Sequence, residues 1–145
     1  MSGRFQDSVE LEIDASPQLC FDAMADFASY PKWQTAVKEA RVIDRRPEGP
    51  VVEYTVDLLV RKIRYVLAYR TDPEKFRISW DYVEGDAADV AGEFIVEPLV
   101  GGRRSRATYR LEIDPGFYVP GLLISKIKNV VMKGVLKDLR RRVES

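Results

Sequence analysis

Residues 16–33 read Ser-Pro-Gln-Leu-Cys-Phe-Asp-Ala-Met-Ala-Asp-Phe-Ala-Ser-Tyr-Pro-Lys-Trp, and this stretch indicates how the chain is organised around it. Ser16 is a good helix N-cap, and Pro17 suits the first helical position, where its missing N–H is not needed. A second short helix is predicted over residues 27–30. It should end before Pro31, because proline disfavours helical geometry in the residue that precedes it. The stretch therefore predicts two short helices in succession.

The sequence on both sides of this stretch alternates between apolar and polar residues, which is typical of half-buried strands. The predicted strands cover residues 4–13, 37–45, 51–60, 63–71, 76–82, 90–96 and 107–113. Turn signals separate several of them, including residues 46–50, a tight connection at Arg61-Lys62 and the pair Gly101-Gly102. This pattern indicates an antiparallel meander with one face buried.

A long amphipathic helix is predicted over residues 120–143. Its apolar residues recur three or four positions apart and form one stripe of Ile124, Ile127, Val131, Val135 and Leu139. The sheet needs a cover for its apolar face, and no other predicted element is long enough. Gly134 in the middle of this helix marks either close packing of the helix backbone on the sheet or space left for a ligand.

The composition is that of an ordinary globular protein of 145 residues, which fits a single domain spanning residues 1–145. Lys and Arg together number 23, as do Asp and Glu, so the net charge gives no reason to expect a nucleic-acid partner. The sequence has neither the apolar segment of a signal peptide nor the longer one of a membrane span. We therefore expect a cytoplasmic protein without stable membrane insertion, present as a monomer or weak homodimer.

The chain contains no histidine and a single cysteine, Cys20. The missing histidine removes the commonest general base, the commonest zinc ligand and any Ser-His or Cys-His pair. We expect no metal and no cofactor, and any catalysis has to use Tyr, Asp, Glu, Lys or Arg. Cys20 lies in an apolar helical stretch and is interpreted as a buried apolar residue rather than a nucleophile.

Alternation also predicts which side chains face the interior of the sheet. The inward positions are Tyr54, Val56, Tyr65, Leu67, Tyr69, Ile78, Trp80, Tyr82, Phe94 and Tyr109. A buried tyrosine needs a partner for its hydroxyl, so five tyrosines on one face favour a cavity with apolar walls and a few hydroxyl groups. The alternative is that several of these hydroxyls reach the rim of the sheet and water.

The order of the elements, with Tyr30-Pro31-Lys32-Trp33 near the start and an amphipathic helix after Val119-Pro120-Gly121, resembles the START-like superfamily. This superfamily is also called SRPBCC and includes polyketide cyclase/dehydrase-like and coenzyme Q-binding-like proteins. The resemblance implies an α+β helix-grip fold, in which a seven-stranded antiparallel sheet with two short N-terminal helices grips a long C-terminal helix around an apolar cavity. It further implies that the cavity is bordered by Trp33, Leu123, Ile127 and Val131. The aromatic pattern around Trp33 recurs in members of different function, so a packing role is the alternative there.

The resemblance and the inward aromatic residues together predict the binding or transport of a small hydrophobic ligand, such as a lipid, a quinone or a polyketide-like molecule. One alternative is a polyketide cyclase/aromatase or dehydratase in which Tyr54, Tyr69 and Tyr109 donate protons. Against it, alternation puts the arginines of the strands on the outer face, and a tyrosine without a nearby cation is a poor base at neutral pH. A third possibility is an interaction module with a collapsed cavity.

Overall fold

The computed structural model describes residues 5–59 and 61–144. The strands are β1 (Phe5–Ile13), β2 (Val37–Arg46), β3 (Gly49–Asp57), β4 (Lys62–Asp72), β5 (Arg77–Gly85), β6 (Asp89–Pro98) and β7 (Ser105–Asp114). The helices are α1 (Pro17–Ala25), α2 (Tyr30–Trp33), α3 (Gly121–Ile127) and α4 (Gly134–Glu144). A 3-10 turn at Phe27–Ser29 precedes α2, and a π-helical segment at Lys128–Lys133 joins α3 to α4. Residues 121–144 are called the C-terminal helix below.

The seven strands form one antiparallel sheet in the order β1-β7-β6-β5-β4-β3-β2. The strands from β2 to β7 follow one another as a meander, and β7 returns beside β1. The two short helices leave the sheet after β1, and the C-terminal helix packs on its inner face. The helix-grip fold predicted from the sequence is confirmed.

The segment with the two short helices differs from its prediction at Pro31. The helix α1 begins as expected, because the Ser16 hydroxyl oxygen accepts a hydrogen bond from the Leu19 N–H at 3.3 Å. Pro31, however, lies in the first turn of α2 and does not end the preceding helix. Proline is well tolerated there because a first-turn residue needs no N–H partner within the helix. The Gln34 N–H then caps α2 by donating to the Tyr30 carbonyl at 2.7 Å.

The connection between β3 and β4 also lies earlier than the sequence indicates. The strand β3 ends at Asp57, and the Leu58 N–H donates to the Arg61 carbonyl at 3.1 Å across the turn. The predicted connection at Arg61-Lys62 is therefore wrong, since Lys62 already belongs to β4. Val60, the last residue of the predicted strand, lies outside the described residues.

The strand β5 contains a bulge that simple alternation does not predict. Val66 of β4 pairs with Glu84 and Leu67 pairs with Tyr82, so Val83 has no partner in β4. A bulge of this kind inserts one residue and changes which face the following side chains occupy. Val83 is 45% exposed, and the strand continues to Gly85, beyond the predicted end at residue 82.

The apolar stripe of the C-terminal helix faces the sheet as predicted. Its members from Ile127 to Leu139 are buried, and Ile124 is half-buried. A Cβ added to Gly134 would have no atom within 4 Å, so close backbone packing is wrong as the reason for this glycine. Among the described residues, no helix has the length and apolarity needed to cross a membrane.

Candidate ligand cavity

A cavity of about 60 Å³ lies between the inner face of the sheet, α2 and the C-terminal helix. A space of this size holds about two water molecules at the density of liquid water. Eight of the predicted site residues line it: Tyr54, Val56, Tyr65, Leu67, Tyr69, Trp80, Tyr109 and Val131. Alternation along the central strands therefore brings most of the predicted residues to one place.

Five other predicted site residues lie close by without lining the cavity. Three are fully buried in the core: Ile78, Phe94 and Ile127. Leu123 is half-buried and packs against the core from α3. Tyr82 is also half-buried, and its hydroxyl donates a hydrogen bond to the Ala87 carbonyl at 2.6 Å. A place on the inner face is therefore not enough to put a side chain on the cavity wall.

Trp33 lies in an outer groove that adjoins the cavity through Gln34 and Val37, and it shares this groove with several polar residues of α2, β2 and α4. The groove contains Asp138, which is only 6% exposed. Its carboxylate accepts a hydrogen bond from the Thr35 N–H at 2.8 Å and pairs with Arg141 at 3.3 Å. The Trp33 ring also meets the Tyr30 ring edge-on, with centroids 5.5 Å apart. The contact with Tyr30 packs Trp33 against the core beside the groove.

Ten lining residues are not among the predicted site residues: Met24, Tyr30, Gln34, Ala36, Val37, Leu58, Val90, Leu111, Ile113 and Val135. Those from the later strands and the helix follow the same periodicities as the predicted ones, so the pattern contains a signal for them. The residues from α1 to the start of β2 carry no such signal. Their position depends on how the short helices fold over the edge of the sheet.

The tyrosines that line the cavity, called the cavity tyrosines below, are Tyr30, Tyr54, Tyr65, Tyr69 and Tyr109. The hydroxyls of Tyr54 and Tyr69 lie 2.7 Å apart and share a hydrogen bond. The Tyr30 hydroxyl donates to the Met24 carbonyl. Among the described residues, the hydroxyls of Tyr65 and Tyr109 have no hydrogen-bond partner, and neither oxygen is completely buried. Two of the five hydroxyls are therefore available to a ligand.

Strand pairing and ring contacts hold these side chains in place. Tyr54 of β3 lies directly opposite Tyr65 of β4, with ring centroids 5.9 Å apart. Phe27 stacks on Tyr69 at 4.0 Å. The Tyr109 ring of β7 lies 5.4 Å from that of Trp80. Rings that pack in this way have little rotational freedom, so the hydroxyl positions are largely set before any ligand arrives.

Burial raises the pKa of all five cavity tyrosines above the usual value near 10. At Tyr54 the hydrogen bond with Tyr69 opposes part of this rise, whereas repulsion from neighbouring phenolates adds to it at Tyr30. The described residues place no charged side chain on the cavity wall, so no cation there lowers a phenol pKa. At neutral pH the cavity tyrosines are uncharged and can donate hydrogen bonds.

The charged side chains of the central strands pair on the outer face of the sheet. Glu93 accepts hydrogen bonds from Arg77 at 2.6 Å and from Arg110 at 2.7 Å. Arg64 and Arg70 pair with other carboxylates on the same face. The arginines thus lie where alternation predicts them, away from the cavity. No group of three or more His, Cys, Asp or Glu side chains in the described ranges is arranged to hold a metal ion.

One protein-family model, described as polyketide cyclase / dehydrase and lipid transport, matches residues 4–144 of the chain. No curated protein matches the chain. A START superfamily protein from Mycobacterium smegmatis has the same fold, with a TM-score of 0.84 and 23% sequence identity over 96% of this chain and 97% of that one.

Two further solved structures share the fold at lower identity. The Zhui aromatase/cyclase from Streptomyces sp. R1128 has a TM-score of 0.81 and 13% identity, covering 97% of this chain and 94% of that one. Major latex-like protein 151 from Panax ginseng has a TM-score of 0.73 and 10% identity, covering 97% of both chains. At these identities the likeness establishes the fold alone.

Proposed function

Because this chain belongs to the polyketide cyclase/dehydrase and lipid transport family, we propose that it binds or transports a small hydrophobic ligand in the cavity beneath the C-terminal helix. The observation that carries the proposal is the composition of the cavity wall. Apart from the tyrosine hydroxyls, the Trp80 indole N–H and the side chain of Gln34, the groups on its wall are apolar, and two of the hydroxyls have no partner among the described residues. Apolar walls with a few fixed polar groups are typical of small-molecule sites.

A ligand larger than a few atoms has to widen this cavity, since the closed form holds about 60 Å³. The π-helical segment of the C-terminal helix supplies one wall through Val131. Segments of this kind are often found at functional sites, because they interrupt the regular hydrogen bonding of a helix. We propose that this part of the helix moves to admit the ligand.

A polyketide cyclase/aromatase or dehydratase is the second candidate, and the shared hydrogen bond of Tyr54 and Tyr69 is the observation that favours it. A pair of coupled hydroxyls can pass a proton to a ligand oxygen. The same fold occurs in the Zhui aromatase/cyclase. The raised pKa values and the absence of a cation on the described cavity wall favour binding over catalysis. An interaction module is the third candidate, and it takes its support from the small volume of the cavity.

The proposal is tested by mass spectrometry of the purified protein, first under native conditions and then after denaturation and extraction. We expect a bound apolar compound, or uptake of one from a panel of fatty acids, quinones and aromatic polyketides. The variant Leu67→Trp fills the cavity, because Leu67 lines it, and should lose the compound. Leu122→Trp introduces the same ring at a position that is 88% exposed and should retain it.

The outcomes separate the three candidates. A compound retained by Leu67→Trp as well as by Leu122→Trp would place binding outside the cavity and contradict the proposal. Recovery of a chemically altered ligand after incubation would favour the enzyme. Absence of any bound compound, with no uptake from the panel, would favour the interaction module.

A further inference from the structure

The cavity wall is uncharged over its described length. Its polar groups are those of the cavity tyrosines, the Gln34 side chain and the Trp80 indole N–H, and none of them carries a charge at neutral pH. The nearest buried carboxylate is Asp138, which lines the outer groove beside Gln34 and is already paired with Arg141. The arginines of the central strands lie on the other face of the sheet. A bound anion would therefore meet no compensating cation.

Three of the five tyrosine hydroxyls on this wall already have hydrogen-bond partners. Tyr54 and Tyr69 satisfy each other, and Tyr30 is satisfied by a backbone carbonyl. The hydroxyls of Tyr65 and Tyr109 remain without a partner among the described residues, and the indole N–H of Trp80 and the amide of Gln34 are further donors on the same wall. Both tyrosines line the cavity, Tyr65 from β4 and Tyr109 from β7. A ligand oxygen in the cavity can accept a hydrogen bond from these hydroxyls.

We infer that the ligand is an electrically neutral apolar molecule whose carbonyl or hydroxyl oxygen accepts hydrogen bonds from Tyr65 and Tyr109, and that carboxylate-bearing lipids are rejected. This inference rests on the proposed function of the cavity. Burying an ionised carboxylate costs much free energy unless a cation or several donors compensate it. Two tyrosine hydroxyls without a cation compensate only part of that cost. For a ketone or alcohol the same two donors are sufficient.

The test compares three naphthalenes that carry an acetyl, a carboxylate or an isopropenyl group at the same ring position. These groups have nearly the same shape. The acetyl group therefore tests the effect of a neutral oxygen, the carboxylate that of a charge, and the isopropenyl group that of having no oxygen. At about pH 7.5 the carboxylate is fully ionised, because its pKa is about 4. Binding is followed by NMR of the indole N–H groups. Trp80 lines the cavity and Trp33 lies outside it, so the two signals report cavity and groove separately.

We expect the acetyl compound to shift the Trp80 signal. The carboxylate should bind at least about tenfold more weakly, because removing its charge from water costs free energy. Tyr65→Phe and Tyr109→Phe should each weaken binding of the acetyl compound about fivefold to tenfold, as expected for one lost hydrogen bond. Neither should change binding of the isopropenyl compound. Tyr118→Phe removes a hydroxyl from a residue that is 69% exposed and is the matched control, with no change for any probe.

Each result bears on a different part of the reasoning. Equal binding of the carboxylate and acetyl compounds would overturn the inference and leave the proposed function intact. An affinity for the acetyl compound that is unchanged in both Tyr65→Phe and Tyr109→Phe would also overturn the inference and leave the proposed function intact. If none of the three compounds shifts the Trp80 signal, the proposed function itself fails for ligands of this class. The spectra of the variants report at the same time whether each has kept its fold.

Discussion

The hydrogen bond between Tyr54 and Tyr69 provides the sharpest test of the cavity geometry. The two hydroxyls lie 2.7 Å apart, and both side chains are about 95% buried, with 3% and 5% exposed. Tyr54→Phe or Tyr69→Phe leaves the other hydroxyl without its partner, which costs about 1–3 kcal/mol of unfolding free energy. We expect about 1.5 kcal/mol for each, because water in the adjoining cavity replaces part of the lost bond.

The double variant should cost less than the sum of the two singles. It leaves no unsatisfied hydroxyl behind, so we expect a total of about 1 kcal/mol and a coupling energy of about 2 kcal/mol. Urea unfolding followed by circular dichroism measures these values. With a denaturant dependence of about 2 kcal/mol per molar, each single substitution lowers the midpoint by about 0.7 M.

Tyr65→Phe is the matched control, because Tyr65 lies opposite Tyr54 and also lines the cavity but has no hydrogen-bond partner among the described residues. Its unfolding free energy should change by less than about 0.5 kcal/mol. Two results would refute the reasoning. One is strict additivity of the Tyr54 and Tyr69 substitutions. The other is a cost for Tyr65→Phe as large as that for Tyr54→Phe.

Three further predictions concern the helix, the sheet and the pH dependence of stability. Gly134 has helical φ and ψ of −61° and −40° and open space at its Cβ, so Gly134→Ala should raise the unfolding free energy by about 1 kcal/mol in urea titrations. A Cβ at Gly92 would lie 2.3 Å from the Arg110 carbonyl oxygen and 2.6 Å from the Trp80 ring, so Gly92→Ala should cost about 3 kcal/mol and shift the fluorescence of Trp80. Burial raises the folded-state pKa of the cavity tyrosines, so their contribution to stability is fully present below the unfolded pKa near 10 and is lost as the pH rises through the raised values. Urea midpoints should therefore fall above about pH 10, with the phenolate absorbance of these residues appearing together with unfolding. An unchanged unfolding free energy of Gly134→Ala would contradict the first prediction, and an unchanged unfolding free energy of Gly92→Ala would contradict the second. Phenolates that form while the protein is still folded would contradict the third.

Much of the fold follows from local patterns that the chain obeys strictly. Side chains alternate between the faces of a strand with a period of two, so one tyrosine on the inner face predicts the others on the same strand. The stripe on the C-terminal helix follows the helical period in the same way. The structure departs from these patterns where a residue suits two different positions in the secondary structure. Pro31 suits the first turn of a helix as well as the position after one, and only the packing of α2 decides between them.

The boundary of the cavity could be predicted only in part. Phe94 and Tyr109 pair across β6 and β7 and have the same inward orientation, yet Tyr109 lines the cavity and Phe94 does not. The helix α1 packs against β6 and β7, and no local pattern indicates which of their side chains it covers. Tyr30 and Gln34 reach the cavity from α2 and the residue after it, which carry no strand periodicity. The family resemblance implies that Trp33 borders the cavity, and the structure places it in the outer groove, which shares Gln34 and Val37 with the cavity.

The electrostatics of the cavity separate the candidate functions more clearly than the fold does. Cyclisation of a ketone by carbon–carbon bond formation begins with the removal of a proton from carbon, which needs a base of suitable pKa close to the ligand. The cavity tyrosines have raised pKa values and hold their protons at neutral pH, and no carboxylate belongs to the described cavity wall. They can still hydrogen-bond a carbonyl oxygen and make the neighbouring carbon more acidic. Any reaction would then depend on the acidity of the ligand and on the conformation that the narrow cavity imposes on it, so turnover should follow ligand chemistry more closely than the loss of any single tyrosine hydroxyl.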